Sequence, residues 1–141
     1  MTKGRAPPFG LLLALSAAYC IASLVHFVHN AEFLDRYPNM PGWLSRADVY
    51  AAWLSITAVG VAGLLVVRSR FALAGLLLVA VYAALGFDGL GHYALAPVSA
   101  HTLAMNLTIA FEVAAAAVLL AFVLRQVFLA GQHSGAGPSG A

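Results

Sequence analysis

Residues 9–30 read FGLLLALSAAYCIASLVHFVHN, a stretch without a single Asp, Glu, Lys or Arg. Wound as an α-helix it is about 33 Å long at 1.5 Å per residue, enough to cross a hydrocarbon layer about 30 Å thick. Its polar residues are not scattered. At 100° per residue, Ser16, Tyr19, Cys20, Ser23, His26, His29 and Asn30 share one half of the wheel, and Leu13, Ala14, Ala17, Ile21, Leu24, Val25 and Val28 share the other. A helix with such a stripe is stable in lipid only if the stripe turns toward other protein groups. The sequence therefore predicts a bundle of membrane helices with a polar interior.

The rest of the chain supplies the partners. Residues 49–67, 71–90 and 100–124 are three further runs of spanning length. Hydrophobic residues make up 62% of the 141 and charged residues only 9%, against about 25% charged in a soluble domain. Lipid, not water, is the solvent this composition suits. The expected fold is an all-α membrane protein of four transmembrane helices in an up-down antiparallel bundle, because the connections are too short for other orders. One domain over 1–130 is expected, followed by a disordered tail over 131–141 rich in Gly, Ser and Pro. Lys3 and Arg5 precede the first run as in a signal peptide. The run is too long for that reading, which makes it a retained helix.

Basic residues set the orientation. Lys3, Arg5, Arg68, Arg70 and Arg125 fall on the side of the termini, and only Arg36 and Arg46 on the other. The positive-inside rule gives N-in and C-in, a cell-membrane location and, in a bacterium, an inner-membrane one. The net charge of +2 is small and dispersed, so nucleic acid is excluded as a partner. Cys20 is the only cysteine, which rules out an intrachain disulfide.

This orientation places His26, His29, His92, His101 and Asp88 at the outer, periplasmic-facing end, with Glu112 near mid-membrane. The fourth run has its own stripe of His101, Thr102, Met105, Asn106, Thr108, Glu112 and Val113. In the third, Val81, Ala84, Leu85 and Asp88 are expected to face inward, with His92 beyond them. In the second, Tyr50, Trp53 and Thr57 share a face, while Gly60, Ala62 and Gly63 permit close helix contact. Ser45 with Asp48 reads as a capping box for the second helix, and Ser99 as a cap for the fourth.

Imidazoles and carboxyls gathered at one depth suggest a metal site. His26 and His29 lie one turn apart, and His92, His101 and Asp88 complete a set of nitrogen and oxygen ligands suited to zinc, iron or copper. Tyr50, Trp53 and Asn106 would line or support such a site. Glu112 and Asp88 are the candidates for redox- or proton-coupled chemistry, since an acid inside a membrane usually faces a cavity or a partner. Haem held by two histidines such as His26 and His101 is an alternative. A quinone, sterol-like or isoprenoid ligand handled by Glu112 and Asp88 is another. A fourth is an accessory subunit, in a homo-oligomer or a larger membrane complex. The bland reading of Glu112 is a carboxyl bonded to Ser23, Trp53 or Thr57.

Overall fold

The computed structural model describes residues 8–135. It is helical, with α1 at Phe9–Glu32, α2 at Arg46–Val67, α3 at Ala72–Leu85, a short α4 at Gly91–Leu95 and α5 at Leu103–Gly135. Four helical segments are long and apolar enough to cross a membrane: Phe9–Glu32, Arg46–Val67, Ala72–Leu95 and Leu103–Gln132. Each is longer or shifted relative to its apolar run. α5 runs to Gly135, into the stretch expected to form a tail, and residues 136–141 of that stretch lie outside the described residues.

The boundaries have local causes. Pro8 opens α1, its carbonyl accepting from Leu11 and Leu12, in a position where a missing N–H costs nothing. Ser45 and Asp48 form the expected capping box on α2. Between α1 and α2 the chain is turned by Pro38, Pro41 and a left-handed Asn39 at φ 57°, a conformation Asn tolerates better than most residues. The Asn39 amide donates to the carbonyl of Leu95 at 2.8 Å, tying this connection to the end of α4. The cap of α5 is Thr102, not the expected Ser99. The Met105 N–H donates to Thr102 Oγ1 at 3.3 Å, whereas Ser99 is held in a single 3₁₀ turn at Val98–Ala100.

α1 packs on α2 and α5, and α3 on α2 and α5. The wheels of α1 and α5 agree with the sequence. Ser16, Tyr19, Ser23, His26 and Asn30 are buried on α1, and His101, Met105 and Glu112 at and along α5. Ile21, Leu65 and Phe111 point outward, 64%, 67% and 65% exposed, as side chains solvated by lipid should be.

The third helix reverses its expectation. Val81, Ala84, Leu85 and Asp88 are exposed, and Gly75, Leu76, Val79, Tyr82 and Ala83 face the interior. The reason is close packing. A Cβ on Gly60 would lie 2.6 Å from the Tyr82 ring, and one on Gly63 2.8 Å from Val79. α2 and α3 thus meet along a glycine seam that only the Tyr82 face of α3 fits. Ala62, expected in that seam, is exposed.

Gly75 is the tightest point, since a Cβ there would come within 2.3 Å of the Val67 backbone nitrogen and 2.8 Å of the Gly63 carbonyl. Backbone cannot yield as a side-chain tip can. Gly75→Ala should cost about 1–3 kcal/mol through overpacking, whereas Gly10→Ala, with open space around it, should be neutral or slightly stabilising. Denaturant unfolding of the two variants in detergent micelles checks the contrast.

Candidate functional site

Facing stripes on α1 and α5 build the site. On α1 the buried residues follow at three- and four-residue steps: Tyr19, Ser23, His26 and Asn30. On α5, Met105, Ile109, Glu112 and Ala116 do the same. Glu112 is 1% exposed and His26 2%, so both have left solvent and lipid entirely.

His26 Nε2 and Glu112 Oε2 lie 3.6 Å apart, at ion-pair distance and just beyond hydrogen-bond length. The other ring nitrogen, Nδ1, lies 3.3 Å from Thr108 Oγ1, whose hydroxyl also donates to the Met105 carbonyl at 3.0 Å. Nε2 faces the carboxyl. The expected bonding of Glu112 to Ser23, Trp53 or Thr57 is not what forms. Ser23 Oγ accepts from Trp53 Nε1 at 3.2 Å and donates to the Cys20 carbonyl.

Farther along α1, Asn30 Nδ2 donates to His92 Nε2 at 3.1 Å. The His26 and His92 ring centroids are 5.4 Å apart, those of His92 and His101 6.2 Å. His101 Nδ1 donates to the Pro97 carbonyl, which leaves a buried Nε2 lone pair without a partner. Tyr37 completes the group. It comes from the α1–α2 connection, is 3% exposed, and brings its hydroxyl 2.8 Å from His29 Nδ1; its ring centroid lies 4.8 Å from that of His92, tilted, and 6.4 Å from that of His101, edge to face. Burial pushes its hydroxyl up to about 12.

Sequence reasoning missed Tyr37. The only signal was an aromatic residue in a loop of prolines and charges, and loops carry no periodicity to show which way a side chain turns.

The other candidates lie at the rim of this group or outside it. Asp88 sits exposed on a 3₁₀ turn at the rim, and its neighbour Gly89 is what lies against Glu112. Tyr50 donates to Glu32, which also pairs with Arg46 at 3.3 Å, on the outside of the bundle. Asn106 donates to the Val98 and His101 carbonyls and accepts from Tyr93. Its bonds pin the α4–α5 connection and leave it unavailable to a cofactor. Trp53 holds Ser23.

Among the described residues no three or more His, Cys, Asp or Glu side chains are arranged to hold a metal ion. The geometry explains this. Asn30 occupies His92, Tyr37 occupies His29, and the rings meet edge to face instead of directing nitrogens at one point. For haem, His92 stands between His26 and His101.

What the arrangement does offer is a cavity of about 470 Å³, within the range of small-molecule sites. His26, Asn30, Asp88 and His92 form its polar wall; Phe27, Trp43, Leu44 and Leu95 form its apolar one. A second hollow of about 460 Å³, lined by Glu32, Asp35 and Arg46, shares Met40, Pro41 and Leu44 with it and contains no histidine. No family model, curated protein or solved structure matches the chain.

The His26–Glu112 contact is testable by a double-mutant cycle. His26→Leu leaves a buried carboxyl without its polar neighbour and should destabilise by about 1–3 kcal/mol. Adding Glu112→Leu should recover most of that loss, because two apolar groups replace a buried pair at little cost. Additive losses in unfolding experiments would mean the two side chains do not interact.

Proposed function

We propose that this is a multi-pass membrane protein whose outer-facing cavity binds a small amphiphilic molecule with a proton-exchanging head group, of the quinone or phenol class. The orientation rests on the bias of basic residues. The up-down order is supported by pairing along the bundle: Tyr19 and His26 of α1 lie near Ala116 and Glu112 of α5, in reversed sequence.

The observation that carries the reading is the two-sided placement of His26. One side of the ring faces the buried Glu112 carboxyl, and the residue also lines the cavity with Asn30 and His92. A carbonyl or hydroxyl head group placed there meets hydrogen-bond donors and acceptors, while its apolar body lies against Phe27, Trp43 and Leu44. His26 then stands between the ligand and a carboxyl able to give or take a proton. Tyr37 backs the His92 ring from the connection side.

A second reading, a zinc, iron or copper site, draws on the buried, unpartnered Nε2 of His101 beside His92. It requires His92 to release Asn30. This makes it the less economical of the two.

Trp43 reports on the cavity it lines. Titration of the protein in lipid nanodiscs with a short-chain quinone should quench tryptophan fluorescence saturably. Asn30→Ala or His92→Ala should weaken binding about tenfold, the equivalent of one buried hydrogen bond at about 1.4 kcal/mol; Asp35→Ala, in the other hollow, should not. Quenching that never saturates, together with stoichiometric metal lost in His92→Ala, would transfer the assignment to the metal reading.

A further inference from the structure

The cavity that holds His26 and His92 carries a charge as well as a shape. Asp88, on its 3₁₀ turn, and Asp48, in the first turn of α2, both line it. Among the described residues that line it there is neither Lys nor Arg. The two arginines of the outer end are engaged elsewhere: Arg46 pairs with Glu32 at 3.3 Å, and Arg36 lies 5.1 Å over the Phe33 ring. The carboxylates of the cavity have no counter-charge.

Their oxygens are also accessible. Asp88 is exposed, and the Asp48 carboxyl accepts twice from Ser45, both times on Oδ2, which leaves Oδ1. A third acceptor is buried. Asn30 is 7% exposed, lines the same cavity and turns Nδ2 to His92 Nε2 at 3.1 Å, while its Oδ1 has no partner. A buried amide oxygen left unpaired in a cavity wall calls for a donor. Trp43 adds an indole, the ring that attracts cations best. An open acceptor, two carboxylates and an indole around an otherwise apolar space complement an ammonium group, which donates from every N–H and accepts nothing.

We propose that the cavity also recognises a protonated amine on an apolar body. The ammonium donates to Asn30 Oδ1, Asp88 and Asp48 offset its charge, and the body lies against Phe27 and Leu44. The same carboxylates repel a carboxylate or phosphate head group. An aminolipid head group fits only through its ammonium, because its phosphate finds no cation among the lining residues. The inference takes the cavity from the function proposed above but not its proton exchange, since it uses charge and one open acceptor in place of the His26–Glu112 pair.

Calorimetric titration of the full-length protein in phosphatidylcholine nanodiscs, corrected with empty discs, tests it. Three probes share one body: phenylbutylamine, phenylbutanol and phenylbutyrate. The amine should bind about tenfold tighter than the alcohol, the difference between a charge-assisted and a neutral hydrogen bond, and the carboxylate should bind weakest. Asp88→Asn and Asp48→Asn together should remove most of the amine's advantage. Both positions are exposed, and Asn keeps a side-chain oxygen for the start of α2, so the fold is preserved. Asp35→Asn makes the same charge change in the other hollow and should leave the advantage intact. Phosphatidylethanolamine added to the discs identifies the source of the ammonium: a fall in amine affinity assigns the site to the lipid head group, and an unchanged affinity assigns it to a free amine. Equal affinities for amine and alcohol, or an advantage that Asp35→Asn removes as fully as the cavity pair does, would overturn the proposal. Saturable quinone binding without any preference for the amine would overturn it alone and leave the function proposed above standing.

Discussion

An imidazole and a carboxyl held 3.6 Å apart in the interior of an apolar helical bundle are the constraint on which the remaining architecture turns. A buried acid or imidazole without a polar neighbour is costly. Bringing His26 and Glu112 together orients α1 and α5 about their axes, and the other groups of each stripe follow. Asn30 then reaches His92, and Thr108 reaches His26. The apolar halves of the same helices are left facing lipid, where Ile21 and Phe111 belong.

Much of this was legible in the sequence, and the rest was hidden for definite reasons. The stripes of α1 and α5 were readable because polar side chains differ from their surroundings in the property the bilayer selects on. α3 offered no such contrast. Both its faces are apolar, and the inward one is distinguished only by the smallness of Gly75 and Ala83 and by the fit of Tyr82 against Gly60. Asp88, the one charged residue there, drew the reading to the wrong face. It lies where the regular helix has already given way to a 3₁₀ turn, so its position on an extrapolated wheel carries no information.

The site itself was half visible. That His26, His92 and His101 would come together followed from their depth; what holds them did not. Tyr37 sits in a connection whose path is set by Pro38, Asn39 and Pro41, and its insertion among three imidazoles is a tertiary event without a local signature. The same insertion decides the chemistry of the layer. An imidazole already bonded through one nitrogen and covered by a phenol ring is a hydrogen-bonding element, which explains why histidines so close together do not converge on one point. Partner atoms, more than residue types, distinguish such a layer from a ligand sphere.

The glycine seam has a mechanical consequence. Where backbones touch, as Gly75 does against Val67, there is no side-chain layer to deform, and α2 and α3 behave as a single stiff beam. α1 and α5 meet through side chains of several kinds, with the compliance that hydrogen bonds and rings allow. The cavity draws its walls from both halves, Phe27 and Asn30 from α1 and Val49 and Ala52 from α2. It therefore sits at the seam of a two-part clamp, where a small change in separation is felt first.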